Sequence, residues 1–239
     1  MQTPITYENL REYAYSNDKL VQGKIKGIVL DFPGCGTLTM RSEELDVHIV
    51  QAQNGLINIR PYYNPWCWMN RQTVRFVDEI VSVVMEHYHL PEDIPIVSSG
   101  TSMGGLGSLV YAHESKRTPV RCVAHCPVCD LIQRFREGGE FPRTIYSAFG
   151  NYEEMTLEEA MKTASPLHLV KTMPRIPYFL FHSRKDEMVN IDAHSRRFVK
   201  EMEGHEIQLY EAEDSIHGDL PKELWDKYHR CILEAFSHE

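Results

Sequence analysis

Short apolar runs alternate with longer segments of helical period along most of this 239-residue chain. The short runs are rich in β-branched and aromatic residues and predict strands, whereas the longer segments repeat apolar residues every three or four positions, as amphipathic helices do. The predicted strands are 27–32, 56–59, 93–98, 120–124, 178–182 and 207–210. Strands that alternate with helices form a mostly parallel sheet with helices on both faces, so we expect an α/β fold in a single domain over residues 1–239.

The clearest helix follows the second strand. Val74, Val77, Val81 and Val84 mark its buried face, and Pro91 limits its end. Other helices are predicted over 43–53, 192–203 and 221–236, and a marginal hairpin over 12–15 and 20–22. The segment 127–175 is long enough for two or three further helices, and we interpret it as a cap or lid insertion over one end of the sheet.

Composition excludes several classes of protein. The net charge is −9, and no run of Lys or Arg exceeds two residues, so nucleic acid is not an expected partner. The first residues lack a basic stretch followed by an apolar one, and no apolar run is long enough to span a bilayer. We therefore expect no membrane partner and a cytoplasmic location.

The six cysteines are expected to be free thiols, since nothing indicates export. Cys126 and Cys129 have the Cys-x-x-Cys spacing of a redox motif or of one half of a metal site. A zinc site would need a second pair of ligands, which the sequence does not supply, so we interpret this pair as structural and expect no metal.

Ser102 lies in the pattern Gly-x-Ser-x-Gly between Gly100 and Gly104. The pattern alone is weak, but here it follows a predicted strand and begins a predicted helix. Glycines at these positions allow a tight strand-to-helix turn that exposes the hydroxyl, and the helix amides favour a developing negative charge. Ser102 is therefore the candidate nucleophile.

A serine hydroxyl needs a base, usually an imidazole oriented by a carboxylate. Asp186 follows the strand 178–182, and His217 follows the strand 207–210, so both should lie at the carboxyl edge of the sheet. Their order after Ser102 is that of α/β-hydrolases. Glu187 and Asp214 remain alternative acids. His125 and His182 also end strands, and we interpret both as structural.

An oxyanion hole requires two donors near the nucleophile. The backbone amide of Met103 is one candidate, and the amide of Cys35, in the turn after the first predicted strand, is the other. A nearby aromatic cluster could form either sheet-edge core or a substrate-pocket wall, and it comprises Tyr62, Tyr63, Trp66 and Trp68.

These motifs give the sequence a clear resemblance. It resembles α/β-hydrolases over nearly its whole length, and its second half resembles the catalytic domain of prolyl-oligopeptidase-family serine hydrolases. The segments that carry the resemblance are 100–105, 127–130, 164–167, 182–189 and 217–218. The resemblance implies a Ser102, Asp186 and His217 triad that hydrolyses esters or amides through an acyl-enzyme, without a cofactor.

Two departures from that family favour an esterase. The chain has no room for the family's amino-terminal propeller, and Phe32 or Pro33 stands where the family has an oxyanion-donating tyrosine. We therefore expect a carboxylesterase acting on a small ester. A small peptidase or amidase is the alternative, and a non-catalytic binding protein on the same fold is a third possibility.

Overall fold

One sheet forms the centre of the molecule in the computed structural model, which describes residues 4–41 and 43–237. Its strands are β1 Ala14–Ser16, β2 Gly27–Phe32, β3 Leu56–Pro61, β4 Ile96–Thr101, β5 Arg121–His125, β6 Tyr178–Ser183 and β7 Ile207–Ala212. They lie in the order β1-β3-β2-β4-β5-β6-β7. Only the β1–β3 pair is antiparallel among these neighbours, which confirms the predicted α/β architecture.

Helices connect the strands and cover the sheet. The α-helices of the described residues are α1 Leu10–Tyr13, α2 Asp46–Gln53, α3 Arg71–His87, α4 Met103–Glu114, α5 Leu131–Arg136, α6 Phe141–Phe149, α7 Leu157–Lys162, α8 Pro166–Leu169, α9 Arg197–Glu201 and α10 Lys222–Leu233. A π-helical turn, Asp192–Arg196, leads into α9. Within the described ranges, no helix has both the length and the apolar character needed to cross a membrane.

The amino-terminal segment differs from the prediction. β1 pairs with β3 in the register Ala14↔Pro61 and Ser16↔Ile59, and residues 20–22 form no strand, so the predicted hairpin was wrong. Asn17 explains the change of partner. Its side-chain Oδ1 accepts from the amide of Asn58 (2.6 Å), and its own amide donates to the Asn58 carbonyl (3.2 Å).

The segment 127–175 contains the four short helices α5 to α8. It is tied to the region before α3 by side-chain hydrogen bonds. Trp68 Nε1 donates to Thr144 Oγ1 (3.1 Å), and Asn70 Nδ2 donates to the Ala148 carbonyl (2.9 Å). The interpretation of this segment as a lid stays a prediction.

The two faces of the sheet pack against different helices. Ile28 and Leu30 of β2 belong to the core cluster that contains α3 and α4, whereas Val29 belongs to the cluster that contains α10. Alternating side chains along β2 thus serve opposite faces, as the strand pleat requires.

The turn between β4 and α4 brings three backbones close together. A Cβ on Gly104 would lie 1.9 Å from the Phe32 carbonyl oxygen, and a Cβ on Gly100 would lie 2.4 Å from the Gly104 carbonyl oxygen. No side chain fits at either place without backbone movement. These two glycines therefore allow α4 to begin directly against the end of β2.

We expect Gly104→Ala to lower the free energy of unfolding by about 2–3 kcal/mol, as overpacking of a rigid site does. Gly107→Ala on the same helix is the matched control, because its Cβ would meet Phe32 and Met69 at an ordinary 3.4–3.5 Å. Urea denaturation of both variants measures the effect, and equal stabilities would contradict this account.

A buried histidine ends β5. His125 is 1% exposed, its Nδ1 lies 3.4 Å from Thr101 Oγ1, and its ring makes an edge contact with Trp225 at 5.0 Å. Burial, assisted by the nearby His182 and His217, lowers the pKa of His125 to about 4. The ring is therefore neutral at neutral pH.

This histidine should make the fold acid-sensitive. Because its folded pKa lies below the unfolded value of about 6.5, the unfolded chain binds the proton more tightly, and stability falls as pH drops from about 6.5 towards 4. The expected loss is about 3 kcal/mol. His125→Gln, which does not titrate, should remove that part of the pH dependence in denaturant unfolding measured between pH 7 and 4. Parallel curves for the two proteins would contradict the prediction.

Candidate active site

Ser102 occupies the sharp turn between β4 and α4. Its backbone has φ 62° and ψ −120°, a conformation that side-chain-bearing residues rarely adopt. Its amide donates to the His125 carbonyl (2.9 Å), and its carbonyl accepts from Leu106 (3.0 Å). These bonds on both sides hold the strained residue in place.

His217 joins Ser102 to Asp186. Its Nε2 lies 2.9 Å from Ser102 Oγ, and its Nδ1 lies 2.7 Å from Asp186 Oδ2. Asp186 follows β6, and His217 follows β7. The Ser183 hydroxyl donates to the Ser215 carbonyl and links the two loops. The structure thus brings together three side chains that are distant in sequence, in the arrangement of a Ser-His-Asp triad.

The Asp186 carboxylate has donors at both oxygens. Oδ1 accepts from the amides of Met188 (2.9 Å) and Val189 (2.8 Å), and Oδ2 accepts from His217 and lies 3.2 Å from His182 Nε2. Burial opposes ionisation, but the hydrogen bonds from His182, His217 and Val189 outweigh it and hold the pKa of Asp186 well below its usual range. The group is therefore a carboxylate at neutral pH.

The two alternative acids lie elsewhere. Glu187 is exposed, and Asp214 is 75% exposed and forms an ion pair with Lys185. Among the described residues, neither acid forms a hydrogen bond with His217, and the imidazole contacts Asp186 instead. Asp186 is thus the acid that the geometry supports.

His182 contacts the candidate acid Asp186, and the sequence did not predict this contact. It is fully buried, with Nε2 2.8 Å from the Val189 carbonyl and Nδ1 2.7 Å from Ser195 Oγ. A carbonyl only accepts, so Nε2 carries the proton and the Ser195 hydroxyl donates to Nδ1. The same Nε2–H faces Asp186, so His182 helps to fix the carboxylate. Its position four residues before Asp186 was the available sequence signal.

The turn after β2 lies beside the nucleophile. A Cβ on Gly34 would lie 3.8 Å from Ser102 Cβ, and the Tyr63 hydroxyl donates to the Pro33 carbonyl (2.8 Å). Among the described residues, the amides of Cys35 and Met103 have no protein acceptor. Both amides are therefore available to a substrate oxygen.

The aromatic cluster divides into three environments. Tyr62 and Tyr63 line a cavity of about 260 Å³ that Pro33, in the turn after β2, also lines. Trp66 lies at the surface with 37% exposure, whereas Trp68 is 1% exposed and belongs to the core. The two tyrosines are thus the members placed to form a pocket wall.

Ligand atoms of Cys126, Asp186 and His217 lie within 4.8 Å of one another. Burial raises the pKa of the Cys126 thiol to about 12, so the sulfur is protonated at neutral pH. The other two groups are already hydrogen-bonded to each other. The contact between Asp186 and His217 is the one that a Ser-His-Asp triad requires.

The chain is similar to several solved structures. No protein-family model and no curated protein matches the sequence. An acylaminoacyl peptidase in complex with Z-Gly-Gly-Phe-chloromethyl ketone matches with a TM-score of 0.72 and 14% identity over 91% of this chain and 38% of that chain. Puromycin hydrolase matches with a TM-score of 0.71 and 17% identity over 90% of this chain and 34% of that one.

A smaller protein matches over most of its length. S-formylglutathione hydrolase from Agrobacterium tumefaciens matches with a TM-score of 0.68 and 14% identity, over 88% of this chain and 83% of that chain. This chain spans only about a third of the peptidase and of puromycin hydrolase. These structural matches show that the chain has the α/β-hydrolase fold.

Proposed function

We propose that this chain is a serine hydrolase that cleaves small carboxylic esters through an acyl-enzyme. The observation that carries the proposal is the position of His217, which has Ser102 Oγ at 2.9 Å on one nitrogen and Asp186 Oδ2 at 2.7 Å on the other. Asp186 fixes the tautomer, so Nε2 is left unprotonated and can accept the serine proton.

In the first half-reaction, Ser102 Oγ attacks the ester carbonyl carbon while its proton moves to His217 Nε2. The carbonyl oxygen becomes negative and is stabilised by the amides of Met103 and Cys35. The intermediate then collapses, the carbon–oxygen bond to the alcohol breaks, and His217 donates its proton to the departing alkoxide.

In the second half-reaction, a water molecule gives its proton to His217 Nε2 and attacks the acyl carbon. The bond to Ser102 Oγ breaks, and the proton returns from His217 to that oxygen. The acid is released and the enzyme is restored. The Asp186 carboxylate stabilises the imidazolium in both halves without taking the proton.

Exposed apolar side chains favour an ester with an apolar part. Ile216, which precedes His217 in the sequence, is 74% exposed, and Met188, two residues after Asp186, is 56% exposed. Leu38, which follows the turn after β2, is 73% exposed. Exposed apolar surface gains free energy when a substrate removes it from water, so we infer that these side chains bind the apolar part of the ester. The α5 helix reaches the same region, where Arg134 donates to the Met188 carbonyl, and we assign 127–175 as the cap of this site.

Amide cleavage is the second candidate. It is favoured by the structural similarity to an acylaminoacyl peptidase. The same triad serves both reactions, since His217 would protonate a departing amine instead of an alkoxide. The choice between them depends on the pocket, so it is tested with substrates.

A fluorophosphonate probe should label the wild-type chain, because its phosphorus takes the place of the ester carbonyl carbon. Ser102→Ala should abolish labelling, and Ser147→Ala, which removes an exposed serine of α6, should leave it unchanged. Mass spectrometry of the labelled peptide identifies the site. A wild-type chain that resists labelling would indicate a non-catalytic binding protein.

His217→Ala should lower kcat on a reactive aryl ester by a factor on the order of 10³ or more, since the nucleophile then has no base. Circular dichroism should show an unchanged fold, because His217 lies in a turn outside every helix and strand. A loss of only a few-fold would mean that another group acts as the base.

Chromogenic acyl esters and the matching anilides separate the two substrate classes. We expect esters to be cleaved, with kcat/KM rising about fourfold for each added acyl methylene until the pocket is filled, as apolar burial predicts. Aminoacyl anilides should be poor substrates. A kcat/KM for an aminoacyl anilide that matches or exceeds the ester value would favour the amidase.

A further inference from the structure

A second, polar cavity lies on the opposite side of the nucleophile strand, between α2 and α10. Its volume is about 150 Å³. Its walls come from both helices and from β2 and β3, and they include Asp31, His48, Gln51, Asn58, Trp225 and His229. Thr101, which directly precedes Ser102, also lines it. Ser102 and His217 are not among the lining residues, so this is not the candidate active site.

Several buried polar atoms of the cavity wall lack partners. Asn58 Oδ1, Gln51 Oε1, His229 Nδ1 and Arg41 Nε have no hydrogen-bond partner among the described residues. Asn58 and Gln51 are each only 3% exposed. A buried polar atom without a partner is costly, and four such atoms around one space indicate that the space holds a polar molecule.

The wall offers donors as well as acceptors. Arg41 Nε carries a proton and accepts nothing, so this unpartnered atom of the wall is a donor. Burial lowers the pKa of His48 and of His229, so both rings are neutral at neutral pH. The carboxamides of Gln51 and Asn58 each carry both a donor and an acceptor.

The charges of the wall do not favour an ion. The two charged lining residues, Asp31 and Arg41, have opposite signs, and Asp31 is also paired with Arg60 (2.5 Å). A cation would leave Arg41 Nε and the amide donors unpaired, and an anion would leave the carboxamide oxygens of Gln51 and Asn58 unpaired. A hydroxyl group both donates and accepts, so a hydroxylated molecule satisfies both kinds of wall group.

We propose that this cavity binds a small neutral polyhydroxy compound with about six to ten non-hydrogen atoms. An apolar cavity of about 150 Å³ holds benzene, and a polar cavity of the same volume accommodates a polyol of comparable size. The Trp225 indole provides a flat wall for the carbon chain. Leu45, which is 46% exposed, also lines the cavity and marks its opening to solvent. The proposal does not depend on the proposed hydrolase activity.

Isothermal titration calorimetry with erythritol tests the site directly. The wild-type chain should give a saturable binding isotherm, and 1,4-butanediol, which lacks the two inner hydroxyls, should bind at least about tenfold more weakly. The double variant Gln51→Met, Asn58→Leu keeps side-chain size and should lose about tenfold or more in erythritol affinity. Gln53→Met, at an exposed position of the same helix, is the matched control and should bind as the wild type does.

The proposal is overturned by any of three results: no saturable binding of erythritol, unchanged binding in the double variant, or saturable binding of ammonium or acetate in place of the polyol. If the double variant does not fold by circular dichroism, saturation-transfer NMR on the wild type decides. A signal from erythritol that butanediol does not displace supports the site, and equal signals from the two compounds contradict it.

Discussion

The backbone conformation of Ser102 is the constraint on which the rest of the site depends. A residue with a side chain at φ 62° and ψ −120° costs on the order of 1–3 kcal/mol and persists only where its surroundings enforce it. Here β4 pairs with β2 and β5 on either side, and α4 packs directly against the sheet. Gly100 and Gly104 permit that close approach. The strain directs the hydroxyl away from the sheet and leaves the Met103 amide free beside it.

The Asp186 carboxylate has the same organising role for the loops after β6 and β7. Its Oδ1 accepts from two backbone amides of its own loop. Its Oδ2 contacts the imidazoles of both His182 and His217. Because both imidazoles need this oxygen, the position of the catalytic candidate His217 is coupled to a histidine that is fully buried. The buried contacts Ser195–His182–Asp186 thus extend the triad into the core.

Most strands and the three triad candidates could be predicted from the sequence, because parallel strands leave apolar runs and their ends bring loops to one edge. β4 extends three residues beyond its predicted end, since Ser99, Gly100 and Thr101 are not apolar yet still pair with β5. The hairpin failed because a turn at Asn17 does not specify which strand β1 joins. The polar cavity could not be predicted, since it depends on the approach of α2 and α10 from opposite ends of the chain.

Three histidines lie near the carboxyl edge of the sheet, and their surroundings determine which of them is the candidate base for Ser102. His125 is buried, with a pKa near 4, so at neutral pH it stays uncharged. His182 has both nitrogens committed to protein partners in the core. His217 is held by Asp186 at one nitrogen, while the other faces the Ser102 hydroxyl. A histidine at a strand end is a common sequence feature, and here it is the contact with Ser102 that distinguishes the candidate base from its neighbours.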